Sequence, residues 1–286
     1  MLVIFGFIVV MASVLGGFAL QGGHLAALFQ PTELLMICGA ALGSFFVGND
    51  SKAIKATFNA IPTLFQTSRY SKVMYMDLMS LMFELLTKVR KEGLMSVETD
   101  VDEPYESPIF TRYPRIIEDG HILEFITDYL RLMISGNMDA FQIENLMDNE
   151  IETHHEDAEL PVNTIQHMAE SMPAFGIVAA VVGVVHTMAS VGLPPAELGV
   201  LIAAALVGTF IGILLSYGFV GPVAQLLRRK YQEQAKMYQC VKVTLLASLN
   251  GYAPALSVEF GRKVISATER PSFMELDKQV RTVKVK

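Results

Sequence analysis

Four stretches of the chain are almost entirely apolar, and polar segments separate them. Residues 2–20 carry no charged side chain. At 1.5 Å per residue they are long enough to cross the ~30 Å hydrocarbon core of a bilayer. The apolar pattern therefore predicts four transmembrane helices, at residues 1–21, 31–48, 171–191 and 197–221.

Two of these stretches allow a second interpretation. Residues 2–20 could be a signal peptide, but the positively charged residues that begin such a peptide are absent. Residues 34–48 are short for a span, so a re-entrant or buried segment is an alternative. A start at Pro31 lengthens this helix, because proline is tolerated in a first turn and Glu33 would meet the positive end of the helix dipole.

The polar segments also show helical patterns. Residues 71–92 are apolar around most of a helix, which predicts a buried helix that Gly93 can end. Two more helices are predicted at 121–134 and 138–152, separated by Ser135, Gly136 and Asn137.

Residues 228–249 predict a basic amphipathic extension of the fourth span, with a kink or boundary at Gly221-Pro222. No alternating pattern predicts a strand. The expected fold class is therefore all-α: a polytopic membrane protein with four transmembrane helices and a helical cytoplasmic domain, formed by residues 49–170 and joined by a C-terminal helix and tail at 222–286.

The distribution of charge sharpens this picture. Hydrophobic residues make up 52% of the chain and charged residues 18%, against about 25% charged in soluble proteins. All 22 basic residues lie in two blocks, Lys52–Arg131 and Arg228–Lys286. This excludes a soluble enzyme, a nucleic-acid binder and a disordered chain. Because basic residues favour the cytoplasmic side, both blocks and both termini are predicted to be cytoplasmic.

The two charged segments are electrostatically complementary. Residues 51–170 carry 21 acidic and 10 basic side chains, whereas residues 228–286 carry 5 acidic and 12 basic ones. Their net charges are therefore −11 and +7. We expect the two segments to pack together into one helical domain beneath the membrane.

Small residues recur along three of the predicted spans and let a neighbouring backbone approach closely. These faces could pack within the chain or meet another copy, and their number favours an oligomer. The fourth span has Ala204, Gly208, Gly212 and Ser216; the second has Gly39, Ala40, Gly43, Ser44 and Gly48; the third has Gly176, Ala179, Ala180 and Gly183.

No Asp, Glu, Lys or Arg is expected deep in any span, although an ion path usually contains an ionisable group. A chain that moves ions would then borrow the ion-binding carboxylate from a partner. His186, near a span end, is interpreted as structural. The sequence also lacks a phosphate loop, a Rossmann fingerprint and a nucleophile elbow, so we expect no enzymatic activity, no catalytic residue and no cofactor.

Residue types that bind metals occur twice without forming a convincing site. The run from His154 to Asp157 is interpreted as a solvated face, and the pair His167 and Glu170 lacks a second pair to complete a di-metal site. We therefore expect no metal. Cys38 and Cys240 are expected to be unpaired, buried thiols.

Three segments resemble the MotA family, the larger subunit of the bacterial flagellar stator. They are VRKEGLMSVE at 89–98, ESMPAFGIVAAVVGVV at 170–185 and LLSYGFVGP at 214–222. The four-span layout with a long loop between the second and third spans is also similar. The related TolQ and ExbB energisers resemble the chain less, since they have three spans and a different loop order.

The resemblance implies a proton channel in the bacterial inner membrane. A ring of such subunits, five around a partner dimer, would surround a MotB-like subunit that binds peptidoglycan and supplies the ion-binding aspartate. Proton flow through the bilayer would then generate torque on the rotor protein FliG. No nucleic-acid partner is implied.

The resemblance also assigns roles to residues. Arg90 and Glu98 match the charged positions that contact the rotor. Thr209 matches the threonine that lines the ion path. Ala180 stands where sodium-type relatives carry threonine, and the missing hydroxyl favours protons.

Pro173 and Pro222 match the family's two prolines near the cytoplasmic ends of the last two spans, where they are expected to couple channel and domain. A simple helix cap is the alternative for each. Two other functions stay open for the chain: a TolQ- or ExbB-like energiser of an outer-membrane process, or a membrane enzyme with its active site in 49–170.

Overall fold

A computed structural model describes residues 2–136 and 138–284 of the chain. Within those ranges every regular element is a helix. Short 3₁₀ turns connect several of the helices. The α-helices are α1 (Leu2–Leu20), α2 (Pro31–Gly48), α3 (Ser51–Ala60), α4 (Lys72–Glu92), α5 (Glu98–Asp102), α6 (Pro114–Ile117), α7 (Gly120–Ser135), α8 (Ala140–Ala189), α9 (Pro195–Leu215), α10 (Gly221–Leu249), α11 (Pro254–Val264) and α12 (Phe273–Lys284).

The four predicted transmembrane helices are confirmed. Among the described residues, four helical stretches are long and apolar enough to cross a bilayer, and they contain α1, α2, the second half of α8, and α9. Helix α2 begins at Pro31 and carries Glu33 in its first turn, as the pattern predicts. The helix is therefore longer than residues 34–48, because Pro31 starts it about one turn earlier.

Helix α8 is longer than the sequence pattern suggested. It runs for 50 residues without interruption, which corresponds to roughly 75 Å. The prediction of a helix that ends at 152 is therefore wrong. Residues 153–170 are polar but contain no glycine, so they continue the helix, and Pro161 and Pro173 lie within it.

The fourth span changes its winding before it leaves the apolar region. A π-helical turn, Ser216–Val220, separates α9 from α10. Pro222 is the second residue of α10 and has no N–H to bond to the preceding turn. The turn therefore lies where Gly221-Pro222 predicted a kink or boundary, and α10 is the predicted extension of the span.

The chain divides into two compact units. The span unit comprises Met1–Thr67 and Ala158–Arg229, and the loop–tail unit comprises Ser68–Asp157 and Lys230–Lys286. The loop–tail unit joins the acidic segment after α3 to the basic C-terminal segment. The prediction that the two segments pack together is confirmed for residues 68–157 and 230–286, whereas 49–67 and 158–170 belong to the span unit.

Helix α4 lies at the centre of the loop–tail unit, where α11 and α12 pack against it. Its side chains Leu78, Met79, Leu81 and Met82 are fully buried, which confirms the predicted buried helix. The helix ends at Gly93, whose φ of 88° lies in the region that favours glycine.

Ion pairs join the acidic and basic segments of this unit. Lys242 of α10 is almost fully buried, and its Nζ lies 2.6 Å from both carboxylate oxygens of Asp148 on α8. Lys72 of α4 donates from Nζ to Glu275 of α12 at 2.7 Å. The complementary net charges thus correspond to specific contacts between the two segments.

Candidate functional site

Helices α8 and α9 meet through glycine. A Cβ placed on Gly212 would lie 2.7 Å from the Met172 carbonyl oxygen and 3.0 Å from Cα of Gly176. A Cβ placed on Gly176 would lie 3.0 Å from the Gly208 carbonyl oxygen. Backbone therefore touches backbone, and a side chain at either position would push the helices apart.

The same contact continues towards the loop that joins the two helices. A Cβ on Gly183 would lie 2.7 Å from the Ala205 side chain, and Ala179 is completely buried. For these residues, packing within the chain is the correct interpretation of the small-residue pattern. The glycines of α2 differ, because a Cβ on Gly39 or Gly43 would meet nothing within 4 Å.

The predicted ion-path residues Ala180 and Thr209 each lie beside a glycine of the α8–α9 contact. A Cβ on Gly208 would lie 3.4 Å from the backbone nitrogen of Ala180, and a Cβ on Gly176 would lie 3.3 Å from Cα of Thr209. Both Ala180 and Thr209 are partly exposed. They therefore flank the tightest part of the α8–α9 contact at one level.

A third residue, not expected there from the sequence, lies at this level. The Cγ atom of Glu33 lies 3.3 Å from where a Gly208 Cβ would be, and the Glu33 side chain is 6% exposed. Glu33 lies in the first turn of α2, as the sequence predicts, but its side chain is buried against the middle of α9, which the sequence did not indicate. Helix α2 begins partway along α9, and the 3₁₀ turn at Leu25–Leu28 that precedes it also packs against α9.

The two predicted coupling prolines lie beside close contacts in the span unit. Pro173 follows Met172, the residue whose carbonyl faces Gly212. Pro222 lines a cavity of about 230 Å³ together with residues of α1, including Leu2 and Phe7. Pro173 lies inside α8, so a simple cap does not describe it, whereas Pro222 lies in the first turn of α10, directly after the π-helical turn.

Arg90 lies in the last turn of α4, in the loop–tail unit. Its guanidinium donates to the carbonyl oxygens of Gly251 at 2.9 Å and Tyr252 at 3.4 Å, which belong to the turn after α10. The residue remains exposed. These bonds hold one side of the guanidinium at the surface of the unit.

Glu98 is the exposed first residue of α5, a few residues beyond Gly93. It makes no ion pair with Arg90 within the described ranges. Below it, Asp100 is 4% exposed and accepts from Lys88 Nζ at 2.7 Å and from Ser107 Oγ at 2.6 Å. This network ties the segment that carries Glu98 to the end of α4.

Sequence reasoning missed Glu33 and Asp100. Glu33 could have been found from spacing, because Glu33, Ile37, Ala41 and Phe45 recur every four residues and form the buried face of α2. Asp100 had no such signal. It belongs to an acidic run, and only the folded chain distinguishes it from its exposed neighbours.

The other candidate groups form no site in the part of the chain that the structure describes, where three metal-ligating side chains never cluster. His154 does not belong to a purely solvated face, because its ring stacks on Tyr238 at 5.0 Å between centroids. Burial, more than the nearby Asp119 charge, raises the pKa of Tyr238 to about 12. The pair His167 and Glu170 is exposed and has no mate among the described residues.

Both cysteines are free, as expected. Cys240 is fully buried, whereas Cys38 is only partly buried, so the expectation of burial is wrong for Cys38. The Cys240 thiol donates to the Gly261 carbonyl oxygen at 3.3 Å.

Comparison with known proteins places these sites in a family. Residues 4–93 match the sequence model described as motility protein A N-terminal, and residues 118–240 match that of the MotA/TolQ/ExbB proton channel family. The chain is 57% identical over 284 residues to motility protein A of Salmonella typhimurium, covering 99% of this chain and 96% of that one. The chain belongs to the motility protein A family.

Solved structures agree with the fold. A structure of C. jejuni MotAB matches with a TM-score of 0.77 at 18% identity, covering 94% of this chain and 98% of that chain. The flagellar MotAB stator complex from Bacillus subtilis matches with a TM-score of 0.73 at 23% identity, covering 90% and 92%. The all-α fold with four membrane helices is confirmed.

Proposed function

We propose that the chain is a stator subunit of the bacterial flagellar motor, which forms a proton channel with a MotB-like partner and converts proton flow into torque. The observation that carries this proposal is the 57% identity to motility protein A over almost the full length. This role requires no catalytic residue and no cofactor of the chain's own.

The ion path is proposed to pass Thr209 and Ala180. Support comes from their common level beside the glycine contact between α8 and α9. A hydroxyl at Thr209 can exchange hydrogen bonds with water or a carboxyl group, and Ala180 offers no oxygen to a metal cation. The partner's membrane helix would bring its aspartate to this level.

The rotor contact is proposed to be the surface that carries Arg90 and Glu98, with FliG as the rotor protein. Both side chains are exposed and lie close together in the sequence around Gly93. Exposed charge pairs contribute only about 0–1 kcal/mol each. Such weak contacts suit a surface that must bind and release repeatedly.

Pro173 and Pro222 are proposed to couple the channel to the loop–tail unit. One proline follows the tightest α8–α9 contact and the other follows a π-helical turn. Helices bend most readily where a proline or a π-helical turn interrupts the regular hydrogen bonds. Movement at the ion path could therefore change the direction in which α8 and α10 leave the span unit.

The assembly is proposed to be a ring of five copies around a partner dimer in the bacterial inner membrane, with both termini in the cytoplasm. The proposed spans are 1–21, 31–48, 171–191 and 197–221; the proposed cytoplasmic parts are 49–170 and 222–286. The chain buries no residue of α1. In the proposed assembly, lipid or another subunit covers the apolar side chains of this helix. A TolQ- or ExbB-like energiser is less well supported, because residues 4–93 match a motility-specific sequence model.

Deletion of the gene in its host, followed by complementation, tests this proposal. The deletion strain should assemble flagella but not swim, and the wild-type chain should restore swimming. Arg90→Glu combined with Glu98→Lys should not restore it. The matched control is Lys263→Glu combined with Glu106→Lys, which reverses two other charges of the same unit.

Flagella are counted by microscopy and protein levels by immunoblot in all strains. Normal swimming of the deletion strain, with no second stator set in the genome, would exclude the motor function. Envelope leakage or an uptake defect with normal swimming would instead support the energiser. Equal loss in the control variant would show that the Arg90–Glu98 surface has no special role.

A further inference from the structure

Glu33 is the one acidic member of the buried face of α2, which otherwise consists of Ile37, Ala41 and Phe45. Ile37 and Ala41 join Met172 and Ala179 in an apolar cluster between the helices. The carboxylate therefore interrupts an apolar surface. A charged group in such surroundings is strongly unfavourable unless something neutralises it.

The position of Glu33 along the neighbouring helices is deep. Its Cγ packs beside Gly208, which lies about 20 Å along α9 from the first residue of that helix. On α8 it faces the level of Ala180, about 14 Å from the end of the helix at Ala189. On α2 itself, Glu33 lies in the first turn of a helix of about 27 Å, so the carboxylate lies near the end of that span that joins the α1–α2 loop.

No basic side chain compensates the charge of Glu33. Residues 1–51 and 171–227 contain no lysine or arginine, and Glu33 forms no ion pair within the described residues. Within residues 171–189 of α8 and within α9, the titratable groups are His186, six residues beyond Ala180, and Glu197 in the first turn of α9. A proton is therefore the simplest group to neutralise Glu33.

Thr32 connects this buried carboxylate with the surface. Its hydroxyl donates to Oε2 of Glu33, and Thr32 itself is exposed. A hydroxyl that is both a donor and an acceptor can pass a hydrogen bond from water to the carboxylate. Glu33 also packs beside Gly208 of α9, and the next residue of that helix is Thr209.

We propose that Glu33 is a proton-binding carboxylate of this chain's own ion path, at the level of Thr209. This rests on the proposed channel function. A proton from water on the outer side adds to a Glu33 oxygen and makes a neutral carboxyl group. The same proton then leaves towards the partner's carboxylate beside Thr209, which restores the Glu33 anion, so no other reactant is consumed.

The test measures proton flux and motor speed in cells that express the chain with its partner subunit. Glu33→Gln keeps the size of the side chain and its ability to accept from Thr32, but it cannot take up and release a proton. Proton flux, read from cytoplasmic acidification, and the speed of tethered cells should fall at least about tenfold. Glu33→Asp should retain part of both.

Glu197→Gln is the matched control, because it removes an exposed carboxylate from the first turn of α9. It should leave flux and speed within about twofold of wild type. Copurification with the partner shows that each variant assembles. Normal flux in an assembled Glu33→Gln complex would overturn the proposal and leave Glu33 a packing residue.

A second measurement covers failure of Glu33→Gln to assemble. Dicyclohexylcarbodiimide reacts with protonated carboxyl groups in apolar surroundings, and mass spectrometry of the wild-type complex should find the adduct on Glu33 but not on Glu197. No adduct on Glu33 would overturn the proposal.

Replacing sodium by potassium should not change wild-type flux; sodium dependence would overturn the assignment to a proton. Absence of flux and swimming with the wild-type chain would instead reject the proposed function itself.

Discussion

The two units of the chain are held together by different physical means. The loop–tail unit has a large core of leucine, methionine, isoleucine and aromatic side chains around α4. The fully buried cluster of the span unit is small, and its closest contacts are between glycine backbones. In the first case apolar side chains leave water, whereas in the second the helices gain from close van der Waals contact.

This difference shows which unit is complete within one chain. The core of the loop–tail unit is closed by its own helices. In the span unit, α1 buries no side chain, and large apolar residues such as Leu35 on α2 and Val200 on α9 are more than two-thirds exposed. Such surfaces are normal against lipid or another subunit, so the span unit depends on its surroundings.

The largest effect is expected from the core of the loop–tail unit. Leu81→Ala removes a fully buried side chain of α4, and such changes lower the free energy of unfolding by about 2–5 kcal/mol. Leu35→Ala, at a position 74% exposed on α2, should leave it nearly unchanged. Trypsin digestion of the detergent-solubilised protein during heating measures this; equal loss in both variants would contradict the comparison.

A similar contrast is expected between two glycines of the span unit. Gly212→Ala places a Cβ against the Met172 carbonyl and should lower stability by about 1–3 kcal/mol, because the helices must separate. Gly43→Ala meets open space within the chain. The thermal stability of the purified chain should therefore fall only for Gly212→Ala, and an equal fall for Gly43→Ala would show that α2 has close neighbours within the chain.

For Gly43→Ala the assembly state is a second readout. If the open glycine face of α2 meets another subunit, this variant should keep its monomer stability but lose oligomer on size-exclusion chromatography. An unchanged oligomer would place the α2 glycines against lipid.

A moderate effect is expected from the network below Glu98. Asp100→Ala leaves Lys88 and Ser107 without their acceptor and should destabilise this segment by about 1–3 kcal/mol. Asp102→Ala removes only an exposed pair with Arg131, which is worth about 0–1 kcal/mol. Hydrogen exchange of residues 94–110 should increase in the first variant alone; equal exchange in both would show that burial of Asp100 is unimportant.

The smallest effect is expected from the exposed end of the loop–tail unit. The hydrogen bond from Lys72, followed by bonds from Ser272, lowers the pKa of Glu275 from 4.5 to about 2. Because the folded-state pKa is lowered, the carboxylate stabilises the docked α12 above pH 4.5, and this is lost as the pH falls towards 2. Glu275→Gln should remove this pH dependence of α12 hydrogen exchange, and a pH profile identical to wild type would contradict the assignment.

Much of the architecture was predictable because hydrophobic periodicity reports it directly. The apolar stretches predicted four spans, and the pattern at 71–92 predicted the buried α4. The continuous α8 was not predicted, because polar residues can continue a helix as readily as end it. Residues 135–137 were predicted to separate two helices; Gly136, with φ 67°, does end α7, and Asn137 lies outside the described residues.

Some residues of the candidate sites were also predictable from the sequence, and others were not. Arg90, Glu98, Thr209, Ala180, Pro173 and Pro222 were named from resemblance, and their roles stay predictions. Glu33 was predicted to lie at the first turn of a helix, which is where it lies. That this turn packs against the middle of α9 depends on the offset between two helices, which no local pattern reports.

By itself the sequence determined the class of protein, the four spans, the complementary charged segments and the family, since these follow from composition, periodicity and local motifs. Only the tertiary structure decided which small residues touch, and which carboxylates are buried. Burial depends on neighbours distant in the chain: Gly208 and Glu33 are brought together from helices 175 residues apart, and Asp100 is separated from exposed Glu98 by less than a turn of helix.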